Sequence, residues 1–81
     1  MIDGLAADKV RVVLGMPLSD VAVGPGETWI YRVGRCELSL YLFPDVASGG
    51  MRVLDHQITG TGPREEDRQA CLRQLQHGHG N

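Results

Sequence analysis

Residues 28–43 read TWIYRVGRCELSLYLF, two alternating runs of apolar and polar side chains joined by Gly34 and Arg35. A two-residue loop that begins with glycine suits a type II′ turn, because glycine adopts the positive φ that the first turn position requires. The sequence therefore predicts an antiparallel hairpin whose register is set by this turn. The predicted pairs are Val33 with Cys36, Tyr31 with Leu38, Trp29 with Leu40, Arg32 with Glu37, Ile30 with Ser39, and Thr28 with Tyr41.

This register gives the hairpin one apolar face and one polar face. The apolar face carries Trp29, Leu38 and Leu40, whereas the other carries an opposite-charge pair and hydroxyl groups. A slip of one residue would turn the apolar side chains towards water, so the pairing should be strongly specified. We expect helices to cover the face that holds Trp29.

A helix is predicted on each side of the hairpin in sequence. Leu5 to Leu14 has apolar residues on one face, and Gly15 followed by Pro17 ends that helix. Pro63 suits the first position of a second helix, where its missing N–H would have no partner in any case. The apolar side of the second helix is a narrow stripe of Cys71, Leu72 and Leu75.

The other segments predict a connection and a third strand. Residues 17–27 are rich in glycine and proline and predict a surface connection that can include a short extended piece at 20–23. Residues 51–58 predict a strand whose apolar residues fall on both parities, so either a bulge interrupts it or both faces are partly covered. The fold class is α+β: a three-stranded antiparallel meander with a helix from each terminus packed on one face. We expect a single domain over residues 1–81, with its core in 4–76 and a flexible tail at 77–81.

Composition and charge exclude several classes of partner. The net charge of the 81 residues is −2 and the basic residues are scattered, which argues against binding to nucleic acid or to anionic membrane surfaces. No apolar run is long enough to span a bilayer. The first residues lack the pattern of a signal peptide, so two expectations remain: a cytosolic chain, or an export segment absent from this chain.

The histidines and cysteines do not predict a catalytic, metal or cofactor site. His77 and His79 have no third ligand nearby, so metal binding there would be adventitious. His56 could support thiol chemistry with Cys36 or Cys71, but the register turns Cys36 towards the apolar face. A Cys-x-x-Cys redox motif is absent from the sequence. We expect a protein that is not an enzyme.

The polar hairpin face is the predicted protein-binding surface. It carries Arg32, Glu37, Ser39 and Tyr41, and tyrosine and arginine are the residue types that anchor interfaces. The alternative is an ordinary solvated sheet face. An exposed edge strand could also accept a strand from a partner or from a second copy of the chain, which would form a homodimer.

Two cysteines, Cys36 and Cys71, leave two alternatives when the residues are considered alone. A disulfide would close a loop of about 36 residues and restrain the unfolded chain by roughly 3–4 kcal/mol, but it needs an oxidising compartment. Otherwise both are buried thiols that act as small hydrophobic side chains.

A family resemblance follows from several motifs taken together. They are a short helix ending in Leu14-Gly15-Met16-Pro17, a turn-rich gap, a strand containing Trp29-Ile30-Tyr31, and a third strand that begins at Gly50. Over residues 4–58 this pattern resembles the SmpA/OmlA (BamE-like) domain. Cys36, residues 41–45 and residues 70–75 make the chain similar to small exported alphaproteobacterial proteins of this type.

The resemblance implies a cell-envelope protein, located in the periplasm or at the outer membrane. Its work would be protein contact of the kind that assists outer-membrane assembly, without catalysis or cofactor. An oxidising periplasm favours the Cys36–Cys71 disulfide. The alternative function is a cytosolic regulatory or small-ligand-binding domain with free thiols.

Overall fold

The computed structural model describes residues 2–79, with side chains as far as residue 76. It is an α+β fold in which a four-stranded antiparallel sheet, ordered β1-β2-β3-β4, carries two helices. Helix α2 continues into the segment predicted as a tail, whose last two residues lie outside the described part of the chain. The elements are α1 (Ala7–Leu14), β1 (Ser19–Val23), β2 (Gly26–Val33), β3 (Cys36–Pro44), β4 (Met51–Thr59) and α2 (Glu65–His79).

The predicted hairpin register is confirmed between β2 and β3. Val33 lies opposite Cys36, and all the other predicted pairs follow. Gly34 has a φ of +58° and Arg35 does not have a positive φ, as a type II′ turn requires. The turn therefore sets which side chains share a face.

The predicted strand count was wrong by one, because residues 19–23 form strand β1. Val23 pairs with Gly26 across a two-residue turn made by Gly24 and Pro25, and Gly24 has a φ of +58°. This is the same glycine-first turn chemistry as in the main hairpin. Pro25 is compatible with the second turn position, where φ is negative and no N–H is needed for pairing. Reading the glycine and proline cluster as a loop therefore missed a second hairpin.

A bulge explains the mixed parity of β4. Tyr41 pairs with Asp55, but Leu42 pairs with Val53, so Leu54 is an extra residue between them. Of the two alternatives that the sequence left open, the structure has the bulge. It changes the parity of β4 in mid-strand and brings Met51 and Ile58 to the helix side of the sheet.

Both helices cover the sheet face that holds Trp29, and the core lies between the helices and the sheet. Trp29 is 2% exposed, and Leu38 and Leu40 are 0% exposed. The indole Nε1–H of Trp29 donates a hydrogen bond to Glu27 Oε1 at 2.8 Å, while the Arg11 guanidinium lies 4.9 Å from the ring centroid. The core residues are Ala7, Val10, Leu14, Trp29, Tyr31, Cys36, Leu38, Leu40, Leu42, Val53, Cys71 and Leu75.

Tyr31 fastens the sheet to the end of α1. Its hydroxyl donates a hydrogen bond to the Gly15 carbonyl oxygen at 2.8 Å, in a site where the tyrosine is only 5% exposed. Burial raises the pKa of Tyr31 to about 12, because the phenolate would be poorly solvated there.

The Tyr31 environment predicts an alkaline loss of stability that Tyr31→Phe removes. The folded-state pKa of Tyr31 lies above the unfolded value of 10.0, so the neutral phenol stabilises the fold below pH 10 and this contribution disappears as the pH rises towards 12. Y31F should lower the free energy of unfolding near neutral pH by about 1 kcal/mol, through loss of the hydrogen bond to Gly15. Urea unfolding across alkaline pH tests this, with Y41F as the matched control. An equal alkaline loss in Y31F and wild type would contradict it.

A disulfide between Cys36 and Cys71 attaches α2 to the sheet. The two Cα atoms are 5.8 Å apart, and the cysteines are separated by 35 positions in sequence. Cys36 begins β3 on the apolar face, directly after the turn, and Cys71 lies in the buried stripe of α2. The disulfide that the resemblance favoured is confirmed.

The disulfide should contribute about 3–4 kcal/mol to the free energy of unfolding, because it restrains the unfolded chain. The double variant C36A/C71A should lose this amount in urea unfolding, and reduction of the wild-type protein should reproduce the loss. An unreduced, denatured sample should contain no reactive thiol. Two reactive thiols, or a double variant as stable as wild type, would contradict the assignment.

Candidate functional site

The face of the sheet that points away from the helices is the candidate site, and we call it the open face. Its side chains form rows across the strands, because antiparallel pairing brings alternate residues into register. The rows are Val23, Gly26, Phe43 and Arg52; Val21, Thr28, Tyr41 and Asp55; Ser19, Ile30, Ser39 and Gln57; and Arg32, Glu37 and Thr59.

The predicted binding residues all lie on the open face. Arg32 and Glu37 form an ion pair of 2.7 Å between Nη2 and Oε1, with side chains 52% and 32% exposed. The hydroxyl of Tyr41 donates to Gln57 Oε1 at 3.3 Å, and Ser39 is half-buried between β2 and β4. The structure therefore brings these residues onto one surface, and their role in binding stays a prediction.

Sequence reasoning missed the most apolar part of the open face, a group of four residues that we call the apolar corner. Val21, Val23, Phe43 and Leu54 are 53%, 57%, 46% and 65% exposed. Large apolar side chains gathered at one end of a sheet face are typical of an interaction surface. The two valines were predicted in a surface connection with a short extended piece at 20–23, without pairing to β2, and the parity of β4 around Leu54 was left open.

The apolar corner is held in place by close contacts within the sheet. A Cβ atom added to Gly26 would overlap the Leu42 carbonyl oxygen and lie 3.0 Å from Cδ1 of Phe43. Phe43 and Leu54 also border a hollow of about 180 Å³ beside Arg52. Gly26 in β2 thus makes room for both the Leu42 carbonyl group and the Phe43 ring in β3.

Charged groups lie beside the apolar corner. Arg52 Nε lies 3.0 Å from Asp45 Oδ2, and its Nη1 donates to the Gly4 carbonyl oxygen at 2.7 Å. A hydrogen bond from the Ser48 hydroxyl, followed by one from Arg52, lowers the pKa of Asp45. An apolar centre with a polar margin is the usual composition of a protein interface.

An acidic pair lies on the helix side of the sheet, next to the β1 edge. The hydrogen bond from Trp29, followed by the proximity of Asp20, lowers the pKa of Glu27, while the proximity of Glu27 raises the pKa of Asp20. Arg11 of α1 lies above Trp29 and favours the charged form of both carboxyl groups. Glu27 accepts the indole hydrogen bond, and this bond favours its charged form.

A cluster of Asp3, Asp55 and His56 is the group of possible metal ligands among residues 2–76. Their donor atoms lie within 4.8 Å of one another, and His56 Nδ1 lies 2.6 Å from Asp3 Oδ1. That separation is a hydrogen bond, which already uses the histidine nitrogen facing the cluster. We interpret the contact as a hydrogen bond that ties the N-terminal segment to β4. The side chains at positions 77 and 79 lie outside the described part of the structure.

The cysteines and the adjacent cleft leave little for thiol chemistry. Both cysteines are in the disulfide, so the hypothetical pairing of either thiol with His56 has no thiol to use. A wide cleft of about 680 Å³ lies between the Gly34 turn and α2, beside the disulfide.

Among the described helices, none has the length and apolar content needed to cross a membrane.

Comparison with protein-family models, with curated proteins and with solved structures found no match to this chain.

The open face and the core should respond differently to truncation. Leu40 is 0% exposed and Leu54 is 65% exposed, although both are leucines in neighbouring strands. L40A should lower the free energy of unfolding by about 2–5 kcal/mol, since it leaves a cavity in the core. L54A should change it by less than about 0.5 kcal/mol. Urea unfolding of both variants measures this, and comparable losses would mean that Leu54 serves the fold and not a surface function.

Proposed function

We propose that this chain is a non-enzymatic protein-interaction module of the cell envelope, of the SmpA/OmlA (BamE-like) type. The apolar corner carries the proposal, because it exposes four large apolar side chains on a surface that the fold does not bury. A soluble chain benefits from such a patch when another molecule covers it.

The geometry suits binding by a preformed surface. The open face is backed by the core and by the helices, so its residues are ordered before a partner arrives, which lowers the entropic cost of association. Phe43 and Tyr41 supply aromatic anchors near one end, and the Arg32–Glu37 pair gives a polar margin at the other. We expect a protein partner that presents apolar side chains to the corner and polar groups to the remaining rows.

The disulfide supports export to an oxidising compartment such as the periplasm. Both cysteines of the chain are paired in it, which favours this proposal over the cytosolic alternative with free thiols. The residues that carry the resemblance have structural roles in this fold: Gly15 has a φ of +79° at the end of α1, while Trp29 and Tyr31 fill the core. The family and the outer-membrane association are proposed from the sequence resemblance.

Affinity capture from the envelope fraction of the source cell tests the proposed function. The double variant F43S/L54S removes two apolar side chains from the open face and should lose the captured partner. V12S/M16S is the matched control, because Val12 and Met16 are 71% and 76% exposed but belong to α1 and the segment after it. The control should capture the partner as wild type does, and urea unfolding verifies that both variants fold.

Capture that is unchanged in F43S/L54S would overturn the assignment of the open face as the binding surface. The location has its own readout: rapid alkylation in intact cells should find both cysteines oxidised. Two alkylated cysteines in an otherwise folded protein would contradict export.

A further inference from the structure

The two edges of the sheet differ in whether another backbone segment pairs with them. The N-terminal segment covers part of the β4 edge: Gly4 N–H donates to the Val53 carbonyl oxygen at 2.8 Å, and Val53 N–H donates to the Leu5 carbonyl oxygen at 2.9 Å. Ala6 adds a bridge to Arg52. By contrast, β1 ends the sheet on the other side and pairs only with β2 within residues 2–79. The main-chain groups on its outer side are available for another strand.

The alternation of hydrogen-bonded and non-hydrogen-bonded pairs in the β1–β2 hairpin decides which main-chain groups of β1 face outward. Val23 and Gly26 flank a two-residue turn, so they exchange both of their hydrogen bonds. Alternation along the strand then directs the N–H and C=O groups of Ser19 and Val21 towards β2. The corresponding groups of Asp20 and Ala22 point away from the sheet.

We propose that β1 pairs in antiparallel fashion with β1 of a second copy of this chain, with Val21 on the two-fold axis. The two sheets then join into one eight-stranded sheet. Asp20 of each copy lies opposite Ala22 of the other, and each of these two pairs exchanges both main-chain hydrogen bonds. The proposal extends the proposed function by naming a self-partner, but it uses the sheet edge and not the apolar corner as a whole.

This register makes the most of the outward groups. When the pair is centred on Val21, the outward N–H and C=O groups of Asp20 and Ala22 all form hydrogen bonds. When it is centred on Asp20 or on Ala22, the central residue pairs with its own counterpart. The second outward residue of β1 then lies opposite a residue outside the strand. Centring on Asp20 would also place like charges directly opposite each other, which is unfavourable. With Val21 at the centre, the two valines meet on the open face, where each is 53% exposed in the single chain.

The sequence of β1 is permissive for this contact. Strand edges are commonly protected by lysine, proline or a charged side chain, and residues 19–23 contain one such group, the Asp20 carboxyl. Asp20 projects to the helix side, where Glu27 of β2 and Arg11 of α1 face it. In the pair, two copies of this acidic neighbourhood come together. Removing the charge with D20N should therefore tighten the dimer, by about threefold to tenfold in dissociation constant.

Cysteine cross-linking tests the register directly in the purified full chain. V21C should form a disulfide-linked dimer under mild oxidation, because the two positions lie opposite each other in a non-hydrogen-bonded pair with Cα atoms about 4.5 Å apart. V23C is the matched control in the same strand, since it faces Ser19 of the second copy and should link to an S19C chain but not to itself. V46C, at a site 98% exposed in the β3–β4 loop, reports random collision.

A V21C chain that cross-links no faster than V46C would overturn the proposal, as would equal self-linking of V21C and V23C. Sedimentation of the unmodified chain should show a mass that rises with concentration, and a single-chain mass at all submillimolar concentrations would also overturn it. D20N should shift this equilibrium towards the dimer, and a shift towards the single chain would count against the pairing.

The F43S/L54S variant separates this inference from the proposed function. It leaves β1 intact, so it should retain the V21C cross-link while losing the captured partner. A chain that never dimerises can still capture a partner, and a chain without a partner can still dimerise. Failure of one therefore does not imitate failure of the other.

Discussion

The turn at Gly34 and Arg35 is the constraint on which the rest of this structure depends. By placing Val33 opposite Cys36, it decides the partner of every residue along β2 and β3. Because side chains alternate along a strand, it also decides which of them face the helices. The energetic consequence is large: a slip of one residue would expose an indole and several leucines that are now buried, and each of these is worth about 1.5–3 kcal/mol when buried.

That register has one consequence on each side of the sheet. On the helix side, Cys36 faces the core directly after the turn, so the disulfide can fasten a terminal helix whose apolar stripe is narrow. On the other side, the same alternation leaves Tyr41, Phe43 and the Arg32–Glu37 pair outside the core. The small core thus lies on one face of the sheet, and the other face is a rigid, partly apolar surface. This division is the basis of the proposed interaction function.

The sequence was informative wherever one local signal coincided with a long-range one. The Gly34 turn and the alternating hairpin agreed with each other, so the register, the buried face and the presence of both helices could be predicted, although α2 begins at Glu65 and not at Pro63. Strand β1 could not be predicted, because it has only five residues. Its Gly24-Pro25 turn also resembles an ordinary loop until the pairing strand is known. The bulge at Leu54 was left open because mixed parity has more than one cause. The apolar corner depends on both features, and it was therefore beyond reach even though Phe43 was placed in the hairpin.

The central claim is the strand register, and nuclear Overhauser contacts between Hα protons test it most directly. Antiparallel pairing brings Hα protons close in non-hydrogen-bonded pairs. Strong contacts are expected for Arg32 with Glu37 and for Ile30 with Ser39, together with Ala22 and Glu27 across the β1–β2 hairpin. Contacts displaced by one residue, such as Tyr31 with Glu37, would contradict the register and with it the division of the sheet into a buried face and an open one.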